Sequence, residues 1–388
     1  MRNISTRMDA VQSPIIPVIG ELIRNSPGTI SLGQGVVYYS PPQEAIAAIQ
    51  RFLSSPDNNK YKAVSGIPEL IHAIQNKLKT DNNIELTSNS RIVVTAGSNM
   101  AFMNAILAIT QPDDEIIIQS PYYFNHEMAI RMANSVPIVV ATDENYQLRL
   151  EAIAASITPK TKAIVTISPN NPTGAVYPES ALKAVNQLCQ EKGIYHIHDE
   201  AYEYFTYDGV KSISPASFPN SSNHTISLYS LSKAYGFASW RIGYMVIPQH
   251  LFEPIQKIQD TILICPPVIS QYAALGALEV GKSYCKERIK AIASVRQTVL
   301  NSLNKLEGLC TIPPSKGAFY FFLKVNTHLN DFELAKRLIQ EYKIAVIPGS
   351  TFGMTDGCYL RVAYGALQQE TAATGIERLI KGLQIILT

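Results

Sequence analysis

The feature that most constrains this chain is an alternation that begins at Arg91. Seven short runs rich in β-branched and apolar residues, at 92–95, 115–119, 137–141, 163–167, 194–198, 225–229 and 244–247, are separated by longer stretches, and two of these, 101–109 and 179–191, carry helical spacing. Runs that are apolar throughout suit strands buried on both faces, and such strands need helices above and below them. The expected class is therefore α/β, with a mostly parallel seven-stranded sheet flanked by helices. In open sheets of this kind chemistry gathers beyond the carboxyl ends of the strands, so the residues that follow each run are the ones to read.

At 388 residues the chain exceeds what one simple core organises, and a large domain with a smaller companion is expected. The alternation places the large domain at 40–285. Further strand patterns at 318–323, 343–348 and 359–363, with helical patterns at 284–306, 331–342 and 368–386, describe a smaller α+β unit, 286–388, which the N-terminal arm 1–39 joins. Within that arm the apolar patch at 15–23 suits either a surface helix or a contact with a partner subunit. A net charge of +2 without any block of Lys and Arg argues against nucleic acid as a partner. The five cysteines are scattered and form no Cys-x-x-Cys pair, no run has signal-peptide form and none approaches a membrane span. A cytoplasmic protein with reduced thiols and no membrane contact is the expectation.

Five strand ends carry residues with chemistry. After 92–95 comes Ala96-Gly97-Ser98-Asn99, a small-residue turn opening a helix, whose free amides and dipole make an anion site. Neither the Gly-x-Gly-x-x-Gly of a dinucleotide site nor the Gly-Lys-Ser/Thr of a P-loop is present there. After 115–119 comes Ser120-Pro121-Tyr122-Tyr123, where an aromatic offers a flat apolar face. After 163–167 comes Ser168-Pro169-Asn170-Asn171-Pro172-Thr173-Gly174, and after 194–198 comes Asp199-Glu200-Ala201-Tyr202. His196 and His198, two apart beside Asp199, offer an alternative metal spacing, although histidines in a buried strand are more often hydrogen-bonded core residues. After 225–229 comes Ser230-Leu231-Ser232-Lys233, with Arg241 eight residues beyond the lysine. A lysine amine becomes a nucleophile when desolvation or nearby positive charge lowers its pKa. Finally, Arg361 sits in the apolar run Tyr359-Leu360-Arg361-Val362-Ala363, where a guanidinium is costly unless an anion meets it. Its planar fork suits a carboxylate.

Taken in series these motifs resemble the class I/II aminotransferases, the fold type I enzymes that use pyridoxal 5'-phosphate (PLP). The resemblance runs from Gly33 to Arg361 in the family's order. It implies that Lys233 forms a Schiff base with PLP, that Asp199 holds the pyridine nitrogen protonated, and that Tyr123 stacks on the ring. It further implies that Asn171 and Tyr202 donate to the phenolic oxygen, and that Gly97, Ser98, Asn99, Ser230, Ser232 and Arg241 hold the phosphate. Arg361, with Asn171 and Gly35 of the Leu32-Gly33-Gln34-Gly35 run, would receive the substrate carboxylate. Tyr61, in a Tyr, Gly, Pro-Glu-Leu context, would reach the neighbouring site of a homodimer. The implied activity is ping-pong amino transfer between an α-amino acid and a 2-oxo acid. A lyase of the same fold, of the cystathionine β-lyase or aminocyclopropane-carboxylate synthase kind, would keep the same residues. The chain reads Val36-Val37-Tyr38-Tyr39 where relatives usually have an aromatic-Pro-Asp turn, so side-chain specificity does not carry over. Tyr38, Tyr39 and Tyr123 are candidates to line a pocket for aromatic or other neutral side chains.

Overall fold

The computed structural model describes residues 5–387, so the first four residues of the N-terminal arm and Thr388 lie outside the described residues. Its principal sheet has seven strands: β1 (Ser90–Thr95), β2 (Glu115–Ser120), β3 (Val136–Ala141), β4 (Thr161–Ile167), β5 (Tyr195–Asp199), β6 (Thr225–Ser230) and β7 (Gly243–Pro248). Their order across the sheet is β1-β7-β6-β5-β4-β2-β3. The pairs β2/β3, β2/β4, β4/β5 and β5/β6 are parallel. Only β7 runs the other way, antiparallel to both β1 and β6. The connection explains this: residues 231–242 hold two single helical turns and never cross the sheet, so the chain must come back in the opposite direction. Both ends of that connection, with Lys233 and Arg241, therefore stay at the carboxyl end of β6.

Strands β6 and β7 are buried along their whole length. On one face Ile226, Leu228, Met245 and Ile247 pack with Ala101, Phe102 and Ile106 of a helix, and on the other Tyr229, Tyr244 and Val246 join the largest core cluster. Coverage on both faces is why β7, Gly-Tyr-Met-Val-Ile-Pro, reads apolar throughout rather than alternating.

A second sheet lies in the C-terminal part. Its central strands, β8 (Tyr320–Val325) and β9 (Cys358–Ala363), are antiparallel with Phe322 opposite Arg361, and two-residue strands Cys310–Thr311 and Ile347–Pro348 flank them. The single strand expected at 343–348 is in fact two pieces. Ile344–Ala345 pairs in parallel with Ile30–Ser31, while Ile347–Pro348 pairs with β9. That first pairing ties the N-terminal arm to the C-terminal unit. The apolar patch of the arm forms helix α1 (Ile15–Arg24), and Ile19 is buried in the same cluster as Ile347 and Phe352. No described helix is long and apolar enough to cross a membrane.

Candidate active site

At the end of β6 the chain enters a one-turn helix, Leu231–Ala234, capped by Ser230, whose Oγ accepts the Ser232 amide at 3.2 Å. Lys233, expected on a loop, is held in this turn. The Tyr39 hydroxyl donates to the carbonyls of Lys233 at 2.7 Å and Ala234 at 3.2 Å, bracing the turn from behind. Tyr39 is therefore a packing residue of the lysine turn. Contrary to expectation, neither it nor Tyr38 lines the cavity described below. The Lys233 amine donates to the Gly35 carbonyl. Burial, then the positive charges of Arg361 and Arg241, push the amine down to about 8, with Asp199 opposing. A lysine so placed has an appreciable neutral, nucleophilic fraction near neutral pH.

Arg241 closes the same connection with φ of 52°, its Nη1 donating to the Ala238 carbonyl at 2.9 Å and its Nη2 to that of Ala96 at 3.4 Å. This brings the guanidinium against the start of helix α2 (Ser98–Ile109). Gly97 has φ of 83°, a backbone conformation that favours glycine, and a Cβ there would lie 2.6 Å from Arg241 Nη2, so a larger residue would also push the guanidinium aside. Helix-start amides, the hydroxyls of Ser98, Ser230 and Ser232, the Asn99 amide and a forked guanidinium converge here, a donor set suited to a phosphate dianion.

Asp199 is the last residue of β5 and is buried. Its Oδ1 accepts the Ala201 amide at 3.0 Å, and its Oδ2 lies 3.2 Å from His126 Nε2. His126, on helix α3 (Phe124–Met132), stacks on Phe102 with ring centroids 3.9 Å apart. No role was expected for His126. Its signal was available, since it lies three residues beyond Tyr123 in the turn that opens α3. Tyr123 lines the cavity, its hydroxyl accepting from Asn125 Nδ2 at 2.7 Å, and burial raises its phenol pKa. His196 and His198 both meet Thr166 Oγ1, at 2.7 and 2.6 Å, as buried members of a hydrogen-bonded core. Burial drives both imidazoles toward the neutral form, His198 to about 3. Among the described residues no group of three or more His, Cys, Asp and Glu is arranged to hold a metal ion.

The turn after β4 separates two neighbouring asparagines. Asn170 Oδ1 accepts from the Thr173 amide at 3.1 Å and hydroxyl at 2.8 Å and so closes the turn, whereas Asn171 Oδ1 accepts from Arg361 Nη1 at 2.9 Å. Arg361 is 3% exposed. Its Nη2 donates to the Gly33 carbonyl at 2.7 Å, its Nε meets no hydrogen-bond partner among the described residues, and its guanidinium lies 4.7 Å from the Tyr320 ring and 5.0 Å from that of Phe352. Among the described residues no carboxylate pairs with this charge. A buried fork without a counter-ion is poised for an incoming carboxylate. Tyr202, also buried, shares a 2.6 Å hydrogen bond with the hydroxyl of Tyr320.

These groups face one cavity of about 510 Å³. Lys233, Asp199, Tyr202, Tyr123, Asn171, Ser98, Asn99, Ser230, Ser232, Arg241, Gly35 and Arg361 all line it, and Gly97 stands just behind, against Arg241. One wall comes from α1, through Ile16, Ile19, Gly20 and Ile23. Tyr61, 76% exposed, does not line the cavity of its own chain. An amine beside a phosphate cup, a flat aromatic face and a buried acid are the groups PLP needs: attachment, an anchor, ring contact and a partner for its pyridine nitrogen.

The sequence pattern of the family described as Aminotransferase class I and II matches residues 27–379. The chain belongs to this family. It is a PLP-dependent aminotransferase. Among its relatives is an aromatic aminotransferase of Arabidopsis thaliana, 33% identical over 99% of this chain and 97% of that one. Another is a probable aspartate/prephenate aminotransferase of Aquifex aeolicus, 37% identical over 94% of each chain. Of solved structures, a double mutant of Thermus thermophilus aspartate aminotransferase superposes with a TM-score of 0.90 at 30% identity, over 98% of this aminotransferase and all of that chain. These relatives all carry aminotransferase names, and the same-fold lyase alternative is not favoured.

Proposed function

We propose that this aminotransferase prefers α-amino acids with a large neutral side chain, aromatic ones first. The observation that supports this reading is the wall of the cavity opposite the polar cluster. Ile16, Ile19 and Ile23 of α1, with Val36, Phe124 and Ile347, make it apolar. The cations among the described lining residues are Lys233, Arg241 and Arg361, and the proposed roles engage all three, leaving no guanidinium among them for a second carboxylate. The aromatic aminotransferase among the relatives fits this preference, whereas relatives named for aspartate mark the competing one.

In the proposed arrangement PLP supplies the electron sink that makes the substrate Cα–H acidic. Lys233 would hold the cofactor covalently and, as a free amine, would take the proton from the substrate Cα and deliver it to the cofactor's C4' carbon. Asp199, with the His126 ring beside it, would hold the proton on the pyridine nitrogen. Tyr123 covers the ring face, while Asn171 and Tyr202 donate to the phenolic oxygen. Gly97, Ser98, Asn99, Ser230, Ser232 and Arg241 hold the phosphate. Arg361 takes the substrate carboxylate, with Asn171 and Gly35 beside it. Desolvation by α1 keeps water from the reacting carbon.

The proposed assembly is a cytoplasmic homodimer in which Tyr61 reaches the neighbouring site. Exposed Ile262, Ile264 and Ile269 support it, because Gln259 donates to the Val64 carbonyl at 2.5 Å and Gln271 accepts the Ile67 amide at 2.7 Å, joining their segment to that of Tyr61. The proposed division into domains at 40–285, and at 1–39 with 286–388, accords with the pairing of Ile30–Ser31 and Ile344–Ala345.

Steady-state kcat/KM across a donor panel with 2-oxoglutarate tests the preference. Tyrosine, phenylalanine or tryptophan is expected to exceed aspartate by about tenfold or more, the worth of burying a large apolar side chain against the isoleucines. Aspartate as the best donor would overturn it.

A further inference from the structure

The hydroxyls of Tyr202 and Tyr320 lie 2.6 Å apart in a buried pocket, and each is the other's hydrogen-bond partner. Two hydroxyls hold two protons, and one proton makes the bond between them. The other is free to donate elsewhere, and the direction of the shared bond decides which tyrosine owns it. If Tyr202 donates to Tyr320, Tyr202 has nothing left for the cavity. If Tyr320 donates to Tyr202, the Tyr202 proton points onward.

Three observations set the second direction. The Arg361 guanidinium, 4.7 Å from the Tyr320 ring, favours negative charge on that phenol. Burial raises both phenols, Tyr320 to about 12 and Tyr202 further, and Arg361 opposes burial at each, next in weight to burial at Tyr320 but behind the neighbouring tyrosines at Tyr202, in keeping with Tyr320 as the more acidic of the two. Gly35 borders the Tyr320 hydroxyl so closely that a Cβ there would lie 2.7 Å from it, which keeps any competing side chain away.

We propose that Tyr320 is a positioning residue that donates to Tyr202 and thereby aims and strengthens the Tyr202 donor toward the phenolic oxygen of PLP. Hydrogen bonds in a chain polarise one another, so an oxygen that accepts one bond gives a stronger one. Tyr320 also lies under the arginine proposed to take the substrate carboxylate, so one phenol connects the two halves of the site. The inference rests on the reading of Tyr202 as a donor to that oxygen, and the test separates the two.

The readout is the pH titration of the visible absorption band of the PLP-loaded enzyme, which reports how readily the Lys233 linkage and the phenolic oxygen share a proton. A donor on that oxygen stabilises its ionised form and lowers the midpoint, so losing the donor raises it. Tyr202→Phe is expected to raise the midpoint by about 1–2 units, the worth of a hydrogen bond to a charged group. Tyr320→Phe keeps the ring beneath Arg361 and is expected to raise it by about 0.2–0.5 units. The double variant should titrate with Tyr202→Phe alone, because Tyr320 acts through Tyr202. Gly35→Ala, which pushes the Tyr320 hydroxyl aside without removing it, should shift the midpoint in the same direction as Tyr320→Phe. An unmoved midpoint in both Tyr320→Phe and Gly35→Ala, with Tyr202→Phe shifted, would overturn the role of Tyr320 and leave that of Tyr202 standing. So would a double variant whose shift is the sum of the two. A Tyr202→Phe enzyme that titrates as the parent would instead remove the underlying reading, and the proposal with it.

Discussion

Two lysines, Lys77 buried and Lys233 half-buried at the cavity, teach what separates structure from chemistry in this molecule. The Lys77 amine lies 2.5 Å from Glu203 Oε2 and 2.8 Å from Asn82 Oδ1, and 4.8 Å from the centre of the Tyr229 ring. Around it Glu200 accepts from Tyr229 at 2.8 Å and from Ser214, and Asn82 donates to Glu203 at 2.8 Å. The amine is thus tied to an anion and an amide oxygen. Lys233 meets one carbonyl, faces the cations Arg361 and Arg241, and is pushed down to about 8. An anion and an acceptor make one lysine a structural tie, whereas cations and desolvation make the other a nucleophile.

The neighbouring acids show the same division. Asp199 faces the cavity, while Glu200, the next residue, points away into the Lys77 network. Burial, then the charge of Glu203, pushes Glu200 up to about 8, against its Ser214 and Tyr229 hydrogen bonds and Lys77. Adjacent residues on one strand end thus serve opposite sides of the sheet.

The comparison breaks most visibly at the lysines themselves. Lys233→Ala should lower kcat by about 10³-fold or more, with a fold that unfolds in denaturant much as the parent does. Lys77→Met should do the reverse, costing about 3–5 kcal/mol of stability by stranding Glu203 while changing kcat per folded enzyme only a few-fold. Equal activity losses in the two variants would erase the distinction. Arg361 sharpens it from the substrate side. Arg361→Gln should cut kcat/KM for amino acids by about 10²–10³-fold, and Arg361→Lys, which keeps charge without the fork, should lose less. An Arg361→Gln enzyme that keeps its kcat/KM would mean the buried guanidinium serves packing alone.

Much of this was legible because the informative residues act locally. Ser230, Ser232, Lys233 and Arg241 lie in one short connection, and the Asn170-Asn171-Pro172-Thr173-Gly174 turn is closed by its own side chains. Seven buried runs announced the sheet, although the reversed direction of β7 depends on how the connection folds back. Residues positioned through space were harder. Tyr320 looked like one member of an apolar strand, yet its partner is 118 residues away. His126 belongs to the site only because α3 carries it to β5. Tyr39 was misplaced because a tyrosine beside a glycine-rich run reads equally as a pocket wall or as a brace, and only the hydrogen bonds to 233 and 234 decide. The α1 wall had an apolar signature in the sequence, but its position over the cavity comes from strand pairing between residues 30–31 and 344–345.

Borohydride reduction of the PLP-loaded enzyme, followed by peptide mapping, tests the central claim most directly. Run on apoenzyme reloaded across a pH series, the label should fall on Lys233 alone. Its initial rate of attachment should rise with pH and reach half its maximum near about 8, because only the deprotonated amine attacks. A label on Lys77 or any other lysine, or none at all, would contradict the account.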